Sequence, residues 1–374
     1  MSDNQNGPGY PWVPGSATGI GSMPGTDPAE AMRVVAGELA DFPFLPELPG
    51  RGPGADLVGR TAGLLIDIPA EVTPRGWRLA ERPGRDLARA RSMLSSDLDV
   101  LAEVLDGFGG LLKIQLCGPW TLAASMELPH TMNVAVADPG AVADLTASLA
   151  EGAAAHVAEV LKRVPGAQLV VQLDEPSLPA VAEGEVSTAS GLSRLAAVEP
   201  HTLRDGLAQV LASIRGYTVV HCCAATVPFG IIREAGAGAV SFDLSQLRRG
   251  EEDAVAEVAE AGMGQLIGAV PTVAEQAAAG TLEASSGRAG DGPAAGGSGP
   301  GGGSAEARKS AERVIRLWRR LGLSLTTCAQ RTVITPACGL AGSSPAQARA
   351  VLTRCREAAS MLPELIEEAG GESR

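Results

Sequence analysis

The sequence predicts an α/β protein built as a single (β/α)8 TIM-type barrel. Three observations predict it. Eight short apolar runs alternate with longer amphipathic stretches along the 374 residues, the order that a parallel sheet with right-handed crossovers requires. Eight such units in a chain of this length suit a closed barrel with insertions better than an open doubly wound sheet, and no G-x-G-x-x-G follows the first run. The side chains suited to chemistry fall just past the runs, at the end where a barrel keeps its site.

The predicted strands are 17–22, 64–68, 111–116, 168–173, 217–222, 239–244, 265–269 and 332–335. The first predicted helix, 28–40, follows Asp27, a good N-cap, with proline at its first position. Asp138-Pro139 opens a helix towards residue 164 in the same way. Further helices are expected over 200–214, 227–235, 251–261, 305–321 and 345–368. Residues 1–14 and 369–374 read as tails, leaving 15–368 as the barrel. Within it, 285–304 (SSGRAGDGPAAGGSGPGGGS) has too few apolar residues to offset its ordering entropy, so a flexible insertion is expected there.

Composition narrows the function. With 45% apolar and 20% charged residues the chain is not of a disordered class. Aromatics are only 3%, too few for base-stacking platforms, and a net charge of −13 repels phosphate backbones and anionic lipid. No nucleic-acid or membrane partner is expected. The first residues are polar, no run approaches the ~20 apolar residues of a membrane helix, and six cysteines make no disulfide scaffold. A cytoplasmic protein with reduced thiols follows as the expectation.

The strand ends carry the candidates. His221 and Cys223 are two apart, so on an extended strand both face one side and form a sterically sensible clamp for zinc. Cys338, just past the last predicted strand, and Asp243, at the end of the sixth, can complete a tetrahedral site; imidazole and thiolate suit Zn2+ better than magnesium or calcium. The bland alternative is a core histidine beside buried cysteines, with Asp243 in a loop hydrogen bond. Asp174 and Glu175 are adjacent, so only one can enter the mouth, to bind a substrate ammonium or tune a pKa. Ser22, after Ile20-Gly21, can donate to a substrate carboxylate, or else serves a turn.

Five motifs in order resemble the catalytic barrel of the cobalamin-independent methionine synthase family. They are Ile20-Gly21-Ser22, Cys117-Gly118-Pro119 with Thr121, Gln172-Leu173-Asp174-Glu175-Pro176, His221-Cys222-Cys223 and Cys338-Gly339-Leu340. The resemblance spans about 15–368 and lacks the family's N-terminal half, a core-only form. It implies zinc ligands at His221, Cys223 and Cys338, with Asp243 standing where the family has a glutamate. It implies that Ser22 and Asp174 hold the amino-acid part of homocysteine. Glu47 is the nearest acid upstream of Asp56-Leu57-Val58, which matches a family segment that follows another substrate-gripping glutamate. The family's histidine after strand seven, its folate-side tryptophan and its Lys-Thr-Arg after C-G-L have no counterparts here. The implied activity is methyl transfer to a thiol, with a methyl-folate or a methylated corrinoid protein as donor. A porphyrinogen-decarboxylase-like barrel and a non-catalytic zinc- or thiol-binding barrel are the rival readings. The first strand end lacks the arginine that propionate binding favours.

Overall fold

The computed structural model describes residues 9–272 and 302–371. In chain order the elements are α1 (Pro28–Glu38), α2 (Leu57–Leu64), a hairpin of β1 (Ala70–Thr73) and β2 (Gly76–Leu79), and α3 (Arg85–Val104). Then come β3 (Leu111–Cys117), α4 (Pro119–Ser125), α5 (Pro139–Arg163), β4 (Gln168–Asp174), α6 (Leu178–Ala182), α7 (Pro200–Ser213), β5 (Tyr217–Cys222) and α8 (Phe229–Glu234). The last are β6 (Ala239–Asp243), α9 (Glu252–Glu260), β7 (Gly264–Val270), α10 (Gly302–Arg320), α11 (Leu325–Arg331), β8 (Thr332–Pro336) and α12 (Pro345–Gly371). Six strands form one parallel sheet in the order β3-β4-β5-β6-β7-β8. The two aspartate caps act as the sequence predicts: Asp27 accepts from the N–H groups of Ala29 and Glu30, and Asp138 from those of Gly140 and Ala141.

Eight strands were expected and six are regular. Residues 17–22 do not become a regular strand, yet they are extended and bonded. Thr18 N–H donates to Ile334 O at 3.1 Å, Ile334 N–H to Ser16 O at 3.1 Å, and Met23 N–H to Glu47 O at 2.8 Å. Residues 64–68 are not a strand either, because Leu64 ends α2. The segment bonded to β3 is 43–45: Lys113 N–H donates to Pro43 O and Leu45 N–H to Lys113 O, both at 2.9 Å. Prolines 43, 46 and 49 lack N–H donors, so this stretch cannot build a continuous ladder.

The sheet buries both faces, as parallel sheets do. The outer face meets the helices in the main apolar core, which includes Trp318, Phe229 and Leu352. On the inner face each strand gives one residue to an apolar floor: Leu111, Val170, Val219, Ala239, Leu266 and Val333. Trp12 and Phe42 join them. Trp12 is 4% exposed and donates its indole N–H to Gln330 O at 3.1 Å, and the Tyr10 hydroxyl donates to Gly262 O at 2.8 Å. So part of the stretch 1–14, expected as a tail, closes the floor. The insertion expected over 285–304 lies outside the described residues as far as 301, while residues 302–304 begin α10. Among the described residues no helix is long and apolar enough to cross a membrane.

Candidate active site

Above the floor the inner face turns polar. The strand register levels Cys117 with Asp174, Asp174 with His221, and His221 with Ser241. Alternation then puts Lys113 and Gln115, Gln172 and Asp174, His221, and Ser241 and Asp243 on the inner face. All of them are buried.

His221 Nδ1 lies 2.8 Å from Ser241 Oγ, while its buried Nε2 has no partner. Burial, reinforced by the Lys113 charge, pushes the ring down to about 3, so it is neutral at pH 7. Cys223 follows β5, half-buried, and Cys338 is exposed just beyond β8. The Cys338 thiol donates to the Cys223 sulfur at 3.8 Å. That hydrogen bond, and then burial, hold the Cys223 thiol far above its ordinary range. Asp243 Oδ1 accepts from Ser245 N–H at 2.8 Å, the loop bond weighed as its bland alternative. Of the four expected ligands the structure thus brings two sulfurs together. Among the described residues no three His, Cys, Asp or Glu side chains stand close enough to hold a metal ion jointly.

The acids divide as alternation requires. Asp174 faces inward and accepts from Gln172 Nε2 at 2.7 Å. Burial, with the nearby Glu47 charge, raises its carboxyl well above the usual range. Glu175 turns the other way. Its carboxylate accepts from Trp120 N–H at 2.9 Å and from the Thr121 N–H and hydroxyl, each at 2.7 Å, at the start of α4. A Cβ at Gly118 would overlap Glu175, so the glycine of Cys117-Gly118-Pro119 lets that carboxylate through. Two motifs read separately in the sequence are one anchor here.

Ser22 and Cys338-Gly339-Leu340 are likewise joined. Leu340 N–H donates to Ser22 O at 2.9 Å, and a Cβ at Gly339 would overlap Ser22 Oγ. Glu47 sits beside Ser22 through the backbone bridge and accepts from Gln115 Nε2 at 3.2 Å. Burial raises its carboxyl too, against the lowering effect of Arg60. Sequence reasoning missed Lys113, Gln115 and Ser241. The signal for the first two was present: in LLKIQLC, polar residues alternate inside a strand whose other positions are all apolar.

Comparison with known proteins decides the family. The model of the cobalamin-independent synthase catalytic domain matches residues 15–281, most of the chain. The protein belongs to this family. Membership makes it an enzyme of the methyltransferase class. The match ends before Cys338, so the last motif lies beyond it. Among solved structures, a B12-independent methionine synthase from Shewanella sp. W3-18-1, in complex with selenomethionine, is similar with a TM-score of 0.58 at 11% identity. The alignment covers 95% of this chain and 100% of that one, a likeness of fold. No curated protein matches the chain.

Proposed function

We propose that the protein is a zinc-dependent methyltransferase that methylates a thiol, homocysteine to methionine, in the cytoplasm with a methyl-folate as donor. A methylated corrinoid donor gains no support from the fold or from the relatives. The observation that carries this reading is the approach of Cys223 and Cys338, far apart in sequence, to 3.8 Å at the strand ends. Two sulfurs each about 2.3 Å from a tetrahedral zinc stand about 3.8 Å apart, so the pair fits that ion. The unpartnered, neutral Nε2 of His221 is a matching third donor by its chemistry, and Asp243 stands where the fourth is expected. Ser241, against Nδ1, fixes which nitrogen is offered. The hydrogen bonds that join 16–23 to β8 and 43–47 to β3 support a barrel closed over 15–368.

When bound, zinc supplies a Lewis acid that keeps a thiol in its nucleophilic thiolate form without redox chemistry. The chain's own residues orient the substrate. Asp174 and Glu47 accept its ammonium, and Ser22 donates to its carboxylate. The selenomethionine held by the Shewanella protein has the same amine, carboxylate and methylated chalcogen.

The test is a donor panel with homocysteine, scored for methionine: methyl-folates carrying one and several glutamates, methylcobalamin, and a methylated sulfur compound. The expected result is methionine from a methyl-folate by protein carrying one zinc per chain. Zinc-free protein with full activity, or no methionine from any donor, overturns the reading.

A further inference from the structure

The two acids assigned to the substrate amine rest on a buried lysine. Lys113 stands in mid-β3 and is wholly shielded from solvent. An ammonium there is costly unless its protons are taken. Its Nζ donates to Ile20 O at 2.7 Å and to Gln115 Oε1 at 3.1 Å, and lies 5.5 Å from the centroid of the Phe44 ring. Each hydrogen bond leads to one acid. By occupying the Gln115 oxygen, Lys113 turns that amide so that its Nε2 meets Leu45 O at 2.7 Å and Glu47 Oε1 at 3.2 Å. The Ile20 carbonyl is shared with Gln172 Nε2, at 2.9 Å, which also donates to Asp174 Oδ1 at 2.7 Å. On the far side of Glu47, Arg60 approaches Oε1 at 3.6 Å but is engaged by Asp97 at 2.7 Å. Asp174 and Glu47 are the two acids whose charges act on Lys113.

We propose that Lys113 is a positioning residue that keeps Glu47 and Asp174 jointly aimed at a substrate ammonium, so that the site selects an α-amino thiol over a thiol lacking the amine. The inference rests on the methyl-transfer reading and deepens it. Without Lys113 the Gln115 amide is free to flip its oxygen towards Glu47 and lose its hold on that carboxyl.

The test compares Lys113→Met with the parent, both loaded with zinc, using homocysteine and 4-mercaptobutyrate. The expected result is a KM for homocysteine raised about tenfold to a hundredfold, the size of one lost hydrogen bond to a charged group. Expected with it are a kcat changed less than about threefold by the same scale, an unaltered KM for 4-mercaptobutyrate, and bound zinc retained. An unchanged homocysteine KM in a folded variant, or equal losses with both thiols, overturns the proposal. If Lys113→Met does not melt cooperatively, Gln115→Leu carries the same measurement through the Glu47 arm. Failure of the parent to methylate any thiol would instead sink the methyl-transfer reading.

Discussion

The floor and the upper part of the sheet's inner face are built on opposite rules. In the floor every polar tip is answered: Trp12, Tyr10 and Tyr217 each donate to a backbone carbonyl, Tyr217 to Gly238 O at 2.6 Å. In the upper interior Gln172 Oε1, His221 Nε2 and Thr335 Oγ1 are buried with no partner. Buried groups without partners cost stability, and since the Gln265 amide and the Trp318 indole N–H also lack partners elsewhere, it is the convergence of three such groups on one polar face that sets this end apart. The difference teaches that residues a few ångströms apart along one strand serve folding below and recognition above.

Substitutions can break that contrast. The largest effect is expected at the rim. On the proposed zinc reading, Cys338→Ser and His221→Ala each lose bound zinc and thiol methylation, while Cys338→Ser, at an exposed position, leaves the unfolding free energy of the metal-free protein within about 0.5 kcal/mol of the metal-free parent. Metal analysis and denaturant melts check both halves. In the floor the pattern inverts: Trp12→Ala costs about 3–5 kcal/mol in the melts and leaves the homocysteine KM alone. Asp174 and Glu175 sharpen the contrast within one dipeptide. Asp174→Asn raises the KM for homocysteine about tenfold to a hundredfold without loss of stability. Glu175→Gln replaces one of the two acceptor oxygens by an amide NH2, leaves at least one of the three donors at the start of α4 unanswered and costs about 1–3 kcal/mol.

The smallest effect lies outside both regions. Burial, with the Arg60 charge, pushes His156 down to about 3 in the folded chain, against an ordinary value of 6.5. The unfolded chain therefore binds the extra proton between pH 6.5 and 3, and folding stability falls as pH falls through that window. His156→Gln removes this contribution, at most about 1.4 kcal/mol per pH unit, which urea melts at pH 7, 6 and 5 reveal as a shallower slope than the parent's.

Much of this was legible in the sequence where local pattern equals local structure. The six regular strands, the Asp27-Pro28 and Asp138-Pro139 helix starts and the inward turn of only one of Asp174 and Glu175 follow from period and capping chemistry. The second stave was not. The apolar run at 64–68 imitates a strand, whereas the proline-broken 43–47 imitates a loop, and only the packing against β3 tells them apart. The site divides in the same way. Cysteine and histidine at strand ends announce themselves by residue type. Lys113 and Gln115 do not, since lysine and glutamine in a strand read as a solvent face until closure of the sheet turns that face inward.

The seating of Gly339 beneath Ser22 has a consequence in time. During synthesis, residue 22 emerges long before residue 339, and the turn that carries Ser22 waits for the β8 strand to slot beside it. The face that carries Ser22 is therefore completed late: its hydrogen bonds to Ile334 and Leu340 form only after the last part of the chain has been made.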